Sequence, residues 1–504
     1  MKRKYVKILL VLSAAAMTAG SPAVLFAQET AKEESTEADD TYQEKKSTGT
    51  FGKIISIEGN TIKVSVVTMF MNMSGGQKGF GGDGQKKMAG APDGEMAGDT
   101  EGTTALTAVY TVDGEEMVSD SEMYESTEAD VSTVLVTGGG SLTMTNTGLT
   151  KTGDGYDMDQ SSFYGLNAGV AVQKESTAYI NDTVIETQAE GANAIFATGE
   201  GANITAENVK IHTTGNSSRG LDATYGGTVT ATNVDITTEG EHCAAVATDR
   251  GEGTIDVTGG TLSTSGEGSP CIYSTGNISV TDVTGNASGS QTFVVEGKNS
   301  VTLNSCNLTG AGENGLMLYQ STSGDAGEGT AVLNCADSTL TTSSEGPMFY
   351  ITNTDAEATL TNTTLNFGSG ILMEAAGNDT NEWGPPGENG GKFRLMGISQ
   401  AFTGDVLCDE ISTVEINLTQ GSSLEGTVDG ENTGESVTVS LDGTSAWTLT
   451  GDSYVSILKN DLEDNSNIIS NGYTIYYDAD NEENAWLGGE TISLKDGGVI
   501  RPEE

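Results

Sequence analysis

A phrase rich in Thr and Asn, ending N-x-x-L or N-x-x-I, returns along this chain at a nearly constant step. It spans Leu142–Leu149, Ile204–Ile211, Val229–Ile236 and Ala358–Leu365, with looser copies at Ile255–Leu262, Ile278–Gly285 and Val301–Leu308. Anchored on Asn208, Asn233, Gly259, Asp282 and Ser305, the steps are 25, 26, 23 and 23 residues. A period of that length in a β-branched, Gly-rich chain means one strand-bearing coil stacked on the next. Few other folds tolerate it.

A second ladder keeps the same step. Gly165-Leu166-Asn167-Ala168 matches Gly220-Leu221-Asp222-Ala223, and Ala194–Thr198, Ala244–Thr248, Cys271–Thr275, Phe293–Val295, Leu316–Leu318 and Phe349–Thr352 continue the series. Side chains alternate faces along a strand. The columns Ile195/Leu221/Ala245/Ile272/Phe293/Leu316/Phe349 and Ala197/Ala223/Ala247/Ser274/Val295/Leu318/Ile351 are small or apolar and are expected inside. The column between them is expected to face outward: Asn167, Phe196, Asp222, Val246, Tyr273, Val294, Met317 and Tyr350.

Stacking accounts for the composition. Each strand pairs with its counterpart one coil on, ~4.8 Å away, so like residues sit above one another. Asn208 over Asn233 is then expected to form an interior amide ladder. Thr suits the pleat, the 68 Gly supply corners with positive φ, and Pro, which cannot donate to a ladder, occurs only 7 times. The pattern, over residues 137–500, resembles the right-handed parallel β-helix of secreted pectate-lyase-like and adhesin-like bacterial proteins. That resemblance implies an all-β solenoid and leaves the function open. The expected organisation has five parts. A signal peptide (1–27) and an acidic linker (28–48) precede a small β-domain (49–136) with a Gly/Met-rich insertion at about 68–102. The β-helix (137–455) and a C-terminal β-module or cap (456–504) follow. Gly49–Val66, turning at Gly59-Asn60, reads as a hairpin and resembles the opening of small β-domains in exported bacterial proteins.

The first residues combine basic Met1-Lys2-Arg3-Lys4, apolar Ile8–Leu12 and Leu25-Phe26-Ala27 before Gln28, the layout of a secretory signal. A secreted, extracellular protein is expected, held at the cell surface non-covalently if at all, with no membrane insertion after signal removal. The net charge of −49 repels nucleic acid and anionic membranes. It also permits loosely bound Ca²⁺; no cofactor is expected. The five cysteines, scattered over separate coils, read as buried free thiols rather than a disulfide framework.

The expected ligand-binding face is the outward column, with Phe196, Tyr273 and Tyr350 as stacking rings, Asp222 as hydroxyl partner and Arg219 beside it. Glycans or other cell-surface components are the expected partners. The competing reading has long loops such as Ser321–Gly329 folding back over the stripe. An enzymatic alternative is a polysaccharide lyase acting on uronic-acid polymers. It would need a base to take the proton α to a uronate carboxylate, and Arg219, His242 and Arg250 beside Asp222 are the candidates. Two opposed carboxylates for glycoside hydrolysis are not evident. Of the polygalacturonase-like motifs only Asn353-Thr354-Asp355 occurs. A third alternative is a structural spacer of the cell surface. Met69–Met73 with Met88 and Met96 resembles thioether copper tracts, but without His or Cys nearby it reads as low complexity. Asp154–Asp159 and Asp478–Asn481 lack the full pattern of a calcium loop and read as acidic turns.

Overall fold

The computed structural model describes the backbone of residues 49–58 and 61–69, and residues 105–503 in full. The expected signal peptide, linker and Gly/Met-rich insertion lie outside these. Gly49–Glu58 pairs antiparallel with Thr61–Met69, Glu58 opposite Thr61, as a two-residue connection requires.

From residue 108 to 502 the chain forms a parallel β-solenoid of about 16 turns. The coils therefore begin earlier and end later than the repeats alone suggested. Ala108–Asp113 pairs in parallel with Ser132–Thr137, and Ser453–Val455, Thr474–Tyr477 and Val499–Pro502 stack at the far end. The expected boundaries at 137 and 455 are thus interior to the stack. The far end closes with the one antiparallel pair of the solenoid, Ile492–Ser493 on Val499–Ile500.

Two long sheets carry the stack. The larger holds the Thr/Asn phrases. The other has 12 strands, from Ala108–Asp113 through Ile195–Thr198, Leu221–Thr224, Ile272–Ser274 and Phe349–Thr352 to Asp405–Cys408. It will be called the narrow sheet, because its strands run only 3–6 residues. Between the sheets lies one continuous apolar core, including Ile195, Leu221, Ile272, Phe293, Leu316 and Phe349. That inner column was legible in sequence, with one slip. Leu221 pairs with Val246, not Ala245, so Val246 is interior and Ala247 takes the outward slot between Asp222 and Tyr273. Ala244-Ala245-Val246-Ala247 offers small apolar residues in both registers, so alternation could not choose.

The asparagine ladder exists but faces water. Asn208 and Asn233 are exposed, each with φ +54°, and Asn233 Nδ2 donates to Asn208 Oδ1 at 3.4 Å. The same left-handed corner recurs at Asn146, Asp182, Gly259, Asp282, Ser305, Asp337 and Asn362. Asn is there because it tolerates this conformation, which costs other L-residues ~1–2 kcal/mol. The expected interior amide ladder is therefore corrected to a corner column. Asn233→Leu should destabilise by about 1–2 kcal/mol, whereas Asn233→Gly should be near neutral. Equal losses for the two in urea denaturation would restore the amide-ladder explanation.

All five cysteines are buried and free, as the spacing suggested. Cys243 substitutes for serine in an internal polar column. Ser218 N–H donates to its Sγ at 3.0 Å, the Sγ donates to Gly215 O at 3.2 Å, and Cys243 N–H donates to Ser269 Oγ at 2.9 Å. Ser218 and Ser269 bridge their own coils the same way. Cys243→Ser should be tolerated, while Cys243→Val, which leaves a buried N–H and carbonyl unmet, should cost on the order of 1–3 kcal/mol each. Calorimetry of the pair checks this.

Candidate functional site

The corner column also exposes where the solenoid departs from regularity. Most steps between successive corners are 21–26 residues, but Asn146 to Asp182 is 36, Ser305 to Asp337 is 32 and Asn362 to Ser399 is 37. The three surpluses flank the narrow sheet and all lie over its outer face. The first carries a short helix, Met158–Tyr164, N-capped by Asp157 and closed by Gly165 at φ +74°. The acidic Asp154–Asp159 turn is thus a helix start. The second is the loop 320–329, and the third is 376–390.

Each surplus is pinned to the face by specific contacts. Gly165 sits so close to Phe196 that a Cβ would come within 2.7 Å of the ring. Phe163 O accepts from Thr224 Oγ1 at 2.9 Å, and Tyr164 stacks on Tyr225 at 5.2 Å. The Arg250 guanidinium lies 3.9 Å over the Phe163 ring and ion-pairs with Asp325 at 2.5 Å, joining the helix to the second loop. Thr322 N–H donates to Glu382 O at 2.7 Å, joining the second loop to the third. Trp383 meets Tyr319 edge-on at 5.3 Å. The three surpluses form one chained cover.

The expected open stripe is therefore corrected. Phe196 and Asp222 are both 0 % exposed, and Val294 and Met317 are buried. Tyr273 and Tyr350 are partly buried, packed against Val294, Met317 and Tyr319 with Trp383. Asn167 leaves the column altogether. Ala171 pairs opposite Phe196, while buried Asn167 donates to Gly153 O and Glu190 O beneath the helix. The Gly-Leu-Asn-Ala match to residues 220–223 was a resemblance of letters, not of place. The loop Ser321–Gly329 does fold back.

Beneath the cover lie two acidic centres. In one, Arg219, 7 % exposed, ion-pairs with Asp249 at 2.9 Å, approaches Asp222 at 3.9 Å and donates to Ser162 Oγ at 3.1 Å. Burial pushes the Asp222 carboxyl well up; Arg219 offsets this only in part, and Asp249 adds to it. In the other, Glu296 accepts from Tyr273 Oη at 2.5 Å, Tyr319 Oη at 2.9 Å and the Ser321 hydroxyl. Burial raises its carboxyl too, against the pull of those three donors. Arg219 beside Asp222 was legible in sequence; Asp249 and Glu296, each about one coil from a partner, were not singled out.

Between cover and sheet a cleft of about 70 Å³ remains, lined by Arg219, His242, Tyr273, Gln291, Met317 and Trp383 among others. Two expected site residues, Arg219 and Tyr273, meet there. Phe196, Asp222 and Tyr350 do not line it. His242, one of the candidate lyase bases, does. The Trp383 Nε1 has no hydrogen-bond partner. Among the described residues no cluster of His, Cys, Asp and Glu is arranged to hold a metal ion. Comparison with family models, curated proteins and solved structures gave no match.

Proposed function

We propose that the protein is a secreted, adhesin-like β-solenoid that binds glycans at the covered cleft and performs no chemistry of its own. The observation that carries this is the convergence of the three oversized coils. A spacer needs only regular turns, and loops placed at random would scatter around the rod. Here all three lie over one face, tie to one another and leave a cleft walled by Tyr273, Tyr319 and Trp383. Aromatic walls with a few polar groups suit the C–H faces and hydroxyls of sugars. A neutral glycan fits best, since Arg219 is already neutralised by Asp249 and a chain at −49 repels polyanions.

A glycan array probed with the purified protein tests the reading. A defined class of neutral glycans should bind, and Trp383→Ala should abolish the signal. A blank array would leave the spacer reading ahead.

The meeting of Arg219 and His242 in one cleft favours a second reading, the uronate lyase. Against it, Arg219 is held by Asp249 and no unpaired cation is left there to neutralise a uronate carboxylate. Incubation with polygalacturonate and alginate should therefore produce no unsaturated, ultraviolet-absorbing product. A product whose formation is lost in His242→Ala would replace binding with catalysis.

A further inference from the structure

The cleft is too small for a sugar ring. At about 70 Å³ it is roughly half the ~150 Å³ of an apolar cavity that takes up benzene. A glycan can place only a branch in it and must keep its ring at the mouth.

The polar groups of the lining decide what that branch meets. Tyr273 Oη and Tyr319 Oη both donate to Glu296, which is not part of the lining. The Arg219 guanidinium is held by Asp249 at 2.9 Å and by Ser162 Oγ at 3.1 Å. Ser290 Oγ donates to Gln291 Oε1 at 2.8 Å. Trp383 Nε1 is buried, shut off from an entering ligand. What faces the space is then the apolar cluster of Val294, Met317 and Tyr319 with the Tyr273 and Trp383 rings.

Hydrogen bonding is left to one wall. His242 is half-buried, and among the described residues its ring has neither a hydrogen-bond nor an ion-pair partner. It stands where successive coils turn a corner: His242 N–H donates to Glu267 O, and Gly268 N–H to Gly289 O, next to Ser290 and Gln291. Gly268, at φ +66°, leaves the imidazole its place, since a Cβ there would come within 3.0 Å of His242 Nδ1. Gln291, its oxygen engaged, adds amide N–H donors on the same wall.

We infer that the cleft takes a bare methyl group, so that the sugars the site selects are deoxy sugars that end in one, the fucose and rhamnose class; this rests on the glycan-binding reading above. The methyl lies against Val294 and Met317. The ring hydroxyls stay at the mouth, where the His242 imidazole offers a donor and an acceptor. A hydroxymethyl group in the same place carries its oxygen into apolar walls without a partner, and a pocket of that kind rejects an added hydroxyl by about a hundredfold at most. An acetamido group brings an N–H and a carbonyl into the same walls. A carboxylate finds the Arg219 guanidinium already taken by Asp249.

Calorimetric titration of the full chain with methyl glycosides tests this. The probes are the L-fucoside against the L-galactoside and the L-rhamnoside against the L-mannoside, each pair differing by one oxygen. In at least one pair the deoxy sugar should bind tenfold or more tighter. Val294→Thr, which sets a hydroxyl in the apolar wall, should narrow that gap at least about threefold. His242→Gly, which suits the left-handed backbone, should weaken both members of the pair about tenfold and leave the gap between them. Equal affinity within both pairs, or a gap unchanged in a Val294→Thr protein of wild-type melting temperature, overturns the methyl assignment while glycan binding stands. So does an array that shows other glycans bound when none of these probes binds, and so does a His242→Gly protein that binds like the wild type. No binding to any probe, together with a blank array, overturns both.

Discussion

Replacing Arg219 with methionine should cost about 3–5 kcal/mol, the loss typical when one partner of a buried ion pair is removed. Arg219 ion-pairs with Asp249, 4 % exposed, at 2.9 Å and lies 3.9 Å from Asp222, 0 % exposed. Without it, Asp222 loses its cation and Asp249 keeps only Arg250, which is itself paired with Asp325, so Asp222 must take up a proton or draw in water. The loss should be local before it is global, because a solenoid's coils contact mainly their neighbours. Amide exchange should accelerate first in Met158–Tyr164, whose Ser162 Oγ accepts from Arg219. Adding Asp222→Asn and Asp249→Asn to Arg219→Met should recover most of the stability, since the buried charge then disappears. A single substitution that leaves both the urea midpoint and the exchange of the helix unchanged would show that Arg219 neutralises nothing there.

How far the fold could be read in advance follows from which interactions repeat. Parallel pairing, the inward aliphatic columns and the Asn/Gly corners recur in coil after coil, and each copy corrects the reading of the others. Errors arose where a copy was degenerate. Ala244–Ala247 allowed two registers, and Gly165–Ala168 imitated a strand whose true position, Val170–Gln173, lies a few residues on. Asn208 was assigned to the wrong side because an amide ladder and a left-handed corner demand the same residue at the same spacing. The candidate site was least legible. The contacts that hold the helix and the second loop over it join partners 57–75 residues apart, as in Arg219–Ser162 and Arg250–Asp325, and none is repeated. One signal was present, the surplus length of three coils. It marks where chain is added without saying which face that chain covers. Tyr273 was found because it sits on the ladder and Arg219 because basic residues are scarce and it lies beside Asp222; Trp383 and Glu296 needed coordinates.

The acidic centre under the second loop should make the cover respond to pH, with a definite sign. The Glu296 carboxyl is 1 % exposed, and burial raises it above its ordinary 4.5 despite the hydroxyls of Ser321, Tyr273 and Tyr319. Because the folded protein binds this proton more tightly than the unfolded chain, its contribution to stability is complete below the ordinary carboxylate range. The contribution is lost as pH rises through the folded-state value. The melting temperature should therefore climb as pH falls from 8 into the ordinary carboxylate range. Relief of the −49 net charge acts in the same direction, so the wild type alone cannot separate the two. Glu296→Gln can, since it keeps the shape and an acceptor but carries no charge. The variant should match or exceed the wild type at pH 8 and lose that advantage as pH falls into the ordinary carboxylate range. Protection factors in 320–329, the loop that Ser321 anchors, corrected for the intrinsic pH dependence of exchange, should rise on acidification in the wild type only. Parallel melting curves for the two proteins across this range would place the buried charge elsewhere and remove Glu296 as the anchor of the cover.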